Sequence, residues 1–286
     1  MATLRDIKRK IVSINSTQTI TRTMKMASAS KLRRAQESLE KIRAYALKME
    51  ELTARVVTRV PKDIHPLLAE REEIKKVLVV SMASDKGLCG GFNVNIGLQA
   101  ENFVIHNRDK YEHIGIYVFG KKVKDYLQRR KFSIVKDWSD IKKIDQDFVN
   151  TMADDLIKLY MEGGFDKVYL GYNHFHSAVK QIPVFEEFLP VKASGEPEGI
   201  DYLYEPENEK IIESLIPKYI STKLYFALLD SQTSEHAARM AAMENATSNC
   251  GEMINHLTLV YNKRRQESIT NDMMDIVGGA ESLRGT

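Results

Sequence analysis

No glycine occurs before Gly87 and no proline before Pro61 in this 286-residue chain. The first sixty residues thus contain neither helix breaker, which excludes a loop-rich N-terminal domain and allows one helical register to be read through all of them. Cysteine is scarce: Cys89 and Cys250 stand far apart, too few for a disulfide framework. No apolar run approaches eighteen residues, so no membrane span and no direct membrane insertion are expected. The opening Met-Ala-Thr-Leu-Arg-Asp has neither the apolar core of a signal peptide nor the acid-free, Arg/Ser-rich character of a transit segment. Internal repeats and low-complexity tracts are lacking too.

What is there begins with the register. Alternate steps of three and four from Leu4 reach Ile7, Ile11, Ile14, Gln18, Thr21, Lys25, Ser28, Leu32, Ala35, Leu39, Ile42, Ala46, Met49, Thr53, Val56 and Val60. That is the spacing of a coiled-coil seam, apolar at both ends and polar from Gln18 to Ser28. A sixty-residue helix is about 90 Å long, whereas a compact chain of this length has a radius of gyration of about 19 Å. A projecting rod is therefore expected. Over the polar stretch the apolar residues Ile20, Met24 and Ala27 lie on another face, so the apolar side is expected to swing away from the partner helix and to meet other protein.

Pro61 to Pro66 ends the first helix in this reading. Strands are expected at Lys76–Met82, Gly115–Phe119 and Lys167–Tyr172, with an edge strand at Gln181–Val191 that contains two prolines. Helices are expected from Phe92 to about Asn107, Lys121 to Arg130 and Asp145 to Glu162, the last closed by Gly163-Gly164. This alternation implies a mostly parallel sheet. After Pro217, placed at a helix start, the chain again loses its breakers except Gly251, up to Gly278. Small residues (Ala237, Ala238, Ala241, Ala242, Ala246) allow close helix approach, and Met253, Leu257 and Val260 have coiled-coil spacing. The fold class expected is α/β: a long antiparallel two-helix coiled coil from the N- and C-terminal segments, with an inserted Rossmann-like α/β domain. The boundaries are 1–60 for the first helix, 75–192 for the α/β domain, 193–217 for a connection and helix start, and 218–286 for the second helix.

Charge is uneven. Residues 1–60 carry fourteen Lys/Arg against five Asp/Glu, while residues 210–286 carry eight against nine. A basic helix suits an acidic protein surface, nucleic acid or an anionic membrane. Tyr45 is its only aromatic residue, which argues against single-strand binding.

Candidate chemistry is thin. Lys86-Gly87-Leu88-Cys89-Gly90-Gly91 sits between a strand and a helix, as phosphate cradles do. A P-loop needs Lys-Ser/Thr after its last glycine, where Phe92-Asn93 stand; the dinucleotide fingerprint needs glycine where Cys89 and Phe92 stand. His174 and His176 would share one side of a strand, a metal-ligand spacing with no further ligand nearby. Asp154-Asp155 and Glu186-Glu187 are adjacent, so their side chains point apart. No Gly-x-Ser-x-Gly turn occurs. No catalytic residue, cofactor or metal is expected, and nothing argues for an enzyme acting alone. Two other classes stand beside this: a basic coiled-coil nucleic-acid-binding protein, and a stand-alone α/β enzyme using the glycine turn.

Several longer motifs carry a resemblance. Asp6-Ile7-Lys8-Arg9-Lys10-Ile11, Thr17 to Met26 (Thr-Gln-Thr-Ile-Thr-Arg-Thr-Met-Lys-Met) and Ala29-Ser30-Lys31-Leu32-Arg33 resemble the N-terminal helix of the γ subunit of F-type ATP synthases. Ser84 to Asn93, Tyr202-Leu203-Tyr204-Glu205-Pro206, Ser234 to Met240 and Tyr261 to Thr270 are similar to further segments of that family, and Asp272 stands where glutamate is usual. The resemblance runs from end to end. It implies the central rotor stalk, a non-catalytic subunit turning inside a ring of three α and three β subunits and held at its foot by ε and the membrane c-ring. It implies Met24 and Lys25 near an acidic lever on β, and Arg265 and Gln266 as the catch on the stator ring. Ile269, Met273, Ile276 and Val277 become the apolar tip in the ring's bearing, and Lys31, Tyr202, Tyr204 and Glu205 the foot. The closely spaced cysteine pair of chloroplast members is missing. A bacterial protein at the cytoplasmic face of the plasma membrane, without nucleic-acid binding, is what the resemblance leads one to expect.

Overall fold

The computed structural model describes residues 3–61, 64–141, 143–192 and 208–284. The chain falls into two units, Met1–Ala27 with Met240–Thr286, and Ser28–Arg239. Two long helices contribute to both.

The first, α1, spans Leu4–Val57. Its start is a capping box: the Asp6 amide donates to Thr3 Oγ1 (3.2 Å), and the Thr3 amide donates back to Asp6 Oδ2 (3.0 Å). The Thr3 hydroxyl (2.7 Å) and then the Thr3 amide, both donating to Asp6 Oδ2, hold the Asp6 carboxyl below its ordinary pKa. The three-four register marks the buried face throughout: every seam position from Leu4 to Val60 is buried or half-buried. The helix ends at Val57, short of Pro61, because a residue before proline is pushed out of the helical region.

In the unit of residues 28–239 a five-stranded sheet has the order β3-β2-β1-β4-β5. Its strands are β1 (Lys76–Met82), β2 (His113–Phe119), β3 (Ile134–Trp138), β4 (Lys167–Phe175) and β5 (Gln181–Leu189). β1 pairs in parallel with β2 and β4, β2 with β3 likewise, and β5 runs antiparallel to β4 at the edge. Central β1 is buried on both faces from Val77 onward, which explains its unbroken apolar run. Val79 and Ala83 pack with Ile96 and Ala100 of α2 (Phe92–Asn107) and with Val123 and Leu127 of α3 (Lys121–Arg129). Leu78, Val80 and Met82 face the larger core, with Val149, Met152 and Leu156 of α4 (Gln146–Met161). Asp145 caps α4 by accepting from the Phe148 amide (3.1 Å), and Gly163, at φ 74°, closes it.

Three elements differ from the sequence reading. β3 went unread because Lys136 and Asp137 interrupt its apolar residues; it is an edge strand, and Lys136 reaches Asp155 (2.5 Å) while Trp138 Nε1 donates to Tyr117 Oη. β4 extends to Phe175, three residues beyond Tyr172. The last helix, α5, starts at Asn208 and carries Pro217 inside it, running to Arg284. An interior proline costs about 3 kcal/mol. Ile212, Leu215, Ile216, Tyr219 and Ile220 are all buried around it, at about 1.5–3 kcal/mol for each large apolar side chain, so burial outweighs the lost bond.

Candidate functional site

The unit formed by residues 3–27 and 240–284 is a pair of helix segments. Gln18 Nε2 donates to the Thr247 carbonyl (3.3 Å), the Thr247 hydroxyl donates to Thr21 Oγ1 (2.8 Å), and Lys25 pairs with Glu244. Residue numbers rise on α1 as they fall on α5, so the segments run antiparallel. The polar seam positions thus stay against the partner helix. Their hydroxyls and amide find partners on α5, and Gly251 leaves room for Gln18, since a Cβ there would lie 3.1 Å from Nε2. The apolar residues off the seam do face outward; Ile20 and Met26 are exposed and Met24 is half-buried. On α5 the buried or half-buried positions from Met243 onward are Met243, Ala246, Thr247, Cys250, Gly251, Ile254, Leu257, Val260, Tyr261, Arg264 and Ser268. Met253, assigned to this face from its spacing, is exposed; the true seam passes through Ile254.

After Ser268 every residue of α5 to Ala280 is exposed. This end of the helix carries Ile269, Met273, Met274, Ile276 and Val277, all at least half exposed. Among the described residues, these large apolar side chains on a polar-backed helix end are left largely uncovered. Arg265 and Gln266 are exposed one turn before it. Lys31 is exposed on α1 in the other unit. Tyr202, Tyr204 and Glu205 lie outside the described residues.

The glycine turn of Ser84–Gly91 is built for protein contact. Leu88 and Gly90 have φ of 61° and 58°. Asn93 Oδ1 accepts from the Ser84 amide (2.9 Å), and its Nδ2 donates to the Lys86 carbonyl (3.3 Å). Arg239 of α5 donates from Nε and Nη2 to the Gly87 carbonyl and from Nη2 to that of Lys86, each at 3.2 Å, and from Nη1 to Glu235 (2.6 Å). The turn thus presents carbonyl oxygens to a bound guanidinium, the reverse of the amide cradle a phosphate needs. Cys89 and Phe92 pack on Ala238, and burial pushes the Cys89 thiol up. In open α/β sheets the ligand crevice lies beyond the strand ends at the switch in strand order; here that is between β1 and β4. α5 lies across it, with Ser234 Oγ donating to the Asn173 carbonyl (3.0 Å).

The two histidines separate. His174 lies in β4 with Nδ1 2.6 Å from Asp230 Oδ2, while His176 is beyond the strand end. Asp230 is fully buried, and also accepts from the Phe175 amide (2.8 Å); desolvation raises its pKa despite these bonds. Among the described residues no group of three or more His, Cys, Asp or Glu could hold a metal. The acidic pairs point apart: Asp155 takes Tyr117 and Lys136 while Asp154 is exposed, and Glu186 takes Lys223 (3.4 Å) while Glu187 takes Lys167 and Lys192. Asp230 and Arg239 escaped the sequence reading. Their signal was a charge inside an apolar or small-residue helical run, Ala227-Leu228-Leu229-Asp230 and Ala237-Ala238-Arg239. Much of the positive excess on α1 is met locally: Arg33 pairs with Glu37, Arg43 with Glu40, and Lys48 and Arg55 with Glu51.

A family model described as ATP synthase matches residues 3–283. The chain is 43% identical over 290 residues to the ATP synthase gamma chain of Syntrophus aciditrophicus, covering 99% of each. It is 41% identical over 291 residues to that of Anaeromyxobacter sp. strain Fw109-5, covering 99% of this chain and all of the relative. Among solved structures it is similar to a chain of the Tetrahymena thermophila mitochondrial ATP synthase central stalk and c-ring, at TM-score 0.61 and 29% identity over 79% of this chain and 99% of that one. A chain of the Euglena gracilis mitochondrial enzyme shares the fold at TM-score 0.73 and 19% identity, covering 98% and 94%. The nucleic-acid alternative finds no support in these relatives. No helix among the described residues is long and apolar enough to cross a membrane. With both helices and the intervening sheet inside the match, the chain belongs to the ATP synthase gamma chain family.

Proposed function

We propose that the chain is the central rotor stalk of an F-type ATP synthase. It couples proton passage through the membrane c-ring to ATP synthesis and hydrolysis at β, turning inside the ring of three α and three β subunits. On this reading the antiparallel helices form a coiled coil, the α/β unit is a Rossmann-like domain, and ε joins the c-ring at the foot. The chain itself performs no ATP chemistry. It sits peripherally at the cytoplasmic face of a bacterial plasma membrane.

The observation that carries the reading is the match to the ATP synthase family model over residues 3–283, with gamma chains as full-length relatives, which includes both helices and the exposed apolar end of α5. A shaft end in a bearing needs apolar side chains that its own chain leaves bare. Ile269, Met273, Ile276 and Val277 meet that need. A catch on the stator needs exposed polar groups just short of the bearing, where Arg265 and Gln266 stand. Met24 and Lys25 are assigned to the acidic lever of β; Lys25 is bound to Glu244 yet 38% exposed, so one face of the ammonium stays open to a second carboxylate. Lys31, Tyr202, Tyr204 and Glu205 are assigned to the foot.

Reconstitution tests this. The chain is mixed with cognate α and β, the complex isolated by size, and hydrolysis measured with and without it. One copy per three αβ pairs, with steady hydrolysis dependent on the chain, is the expected result. Failure to assemble, or nucleotide hydrolysis by the chain alone, overturns it.

A further inference from the structure

A cleft of about 300 Å³ opens within residues 28–239, between α1, strands β4 and β5, and α5. That is the lower end of the range in which small-molecule sites fall. One wall is aromatic, made by Tyr172, Tyr219 and Phe226; Ala46 and Leu47 of α1 form the other. Two carboxylates belong to the lining, Glu50 from α1 and Glu186 from β5. The cations present are already engaged: Lys223 lies 3.4 Å from Glu186, and Arg43 is bound to Glu40 at 3.0 Å. Glu50 is exposed at the rim and makes no ion pair among the described residues.

Tyr219 is the most telling side chain. Its ring is buried, the residue being only 8% exposed, while its hydroxyl opens into the cleft and makes no hydrogen bond among the described residues. Burial pushes the Tyr219 phenol up first, and the negative charges of Glu50 and Glu186, which line the same cleft, push it further. Tyr172 is 9% exposed; burial pushes its phenol up first, and the charges of Glu186, Asp230 and Glu50 add to the rise. The carboxylate charges that add to this resistance to ionisation also attract a positive charge. Ring faces add to that attraction.

We propose that this cleft is a binding site for a small organic cation with an apolar body, such as an aralkylammonium or alkylguanidinium. The charged head sits between Glu50 and Glu186 and donates to the free Tyr219 oxygen, and the body lies against Tyr172 and Phe226. None of these residues takes part in the rotor roles assigned above, so the site stands or falls independently of them.

The probe is 4-phenylbutylammonium, with neutral 4-phenylbutanol as its control, titrated calorimetrically into the purified full chain. The cation is expected to bind saturably and at least about tenfold more tightly than the alcohol. The double variant Glu50→Gln/Glu186→Gln should lose about tenfold of cation affinity and leave the alcohol unchanged. Lys223→Met, which frees Glu186, should tighten the cation. Glu50→Gln alone touches an exposed residue, so it keeps the fold intact and still weakens the cation. Equal affinity for cation and alcohol, no saturation up to about 10 mM, or cation binding indifferent to the carboxylate variants would overturn the proposal.

Discussion

Arg239→Ala removes the most heavily engaged side chain on α5. The Arg239 side chain is 11% exposed, and its guanidinium holds Glu235 at 2.6 Å and donates to two carbonyls of the glycine turn. Removal leaves the Glu235 carboxylate, itself 17% exposed, without its cation. Breaking a buried pair from one side costs about 3–5 kcal/mol. Removing both partners leaves only the unmet carbonyls and lost packing, about 1–3 kcal/mol. Arg239→Ala/Glu235→Ala should therefore be more stable than Arg239→Ala alone. The pH dependence has a definite sign. Desolvation already raises the Glu235 pKa above its ordinary value, and Arg239 opposes that rise. Without Arg239 the folded state binds the proton more tightly still than the unfolded chain. The penalty is then full above the raised folded pKa and is relieved as pH falls through it towards 4.5. Urea unfolding followed by Trp138, the sole tryptophan and part of the same unit, reads all of this. A loss below about 1 kcal/mol for Arg239→Ala, or a double variant no better than the single, would refute the reasoning.

Other predictions follow from single sites. Gly120→Ala, at φ 94° with the Ala83 carbonyl oxygen 2.3 Å from the added Cβ, should destabilise by about 2 kcal/mol or more, whereas Gly278→Ala, helical and with nothing within 4 Å, should be neutral or gain up to about 1 kcal/mol, both by thermal melting. His236 is held neutral by burial, its pKa pushed down to about 4 from 6.5, with Arg239 and Lys31 adding to the shift. Its contribution is therefore present above pH 6.5 and lost as pH falls towards 4, by at most about 3 kcal/mol and less after solvent screening; His236→Gln should flatten stability across that window. Arg265→Ala changes an exposed residue, so the melting temperature should stay within about 1 °C, while ATP synthesis by the assembled enzyme falls relative to hydrolysis; full coupling would remove Arg265 from the catch.

How much of this was legible in the chain depended on local periodicity. The three-four register of α1 needed no tertiary information, because each seam residue from Leu4 to Val60 recurs at the period that proves buried or half-buried. β1 and α4 were equally plain, one a Val-rich run buried on both faces, the other bounded by Asp145 and Gly163. What escaped was decided by distant residues. β3 is held by Tyr117 and Asp155, neither of them in the strand. Pro217 reads as a helix start until the core around Ile212 and Ile216 is seen to carry the helix through it. The glycine turn resembles a phosphate cradle until Arg239, some 150 residues later, is found bound to its carbonyls. The apolar residues after Ser268 were recognised through family resemblance, and their exposure is what geometry adds.

Rotation of this chain under ATP tests the central claim most directly. Val179, 88% exposed, offers a site for a Val179→Cys label, since Cys89 is buried and Cys250 is half-buried. With the α and β ring fixed to glass and a bead on that thiol, the account predicts one-way stepping that needs ATP and stops when hydrolysis is inhibited. A chain that stays bound and motionless while the ring hydrolyses ATP at full rate would contradict it.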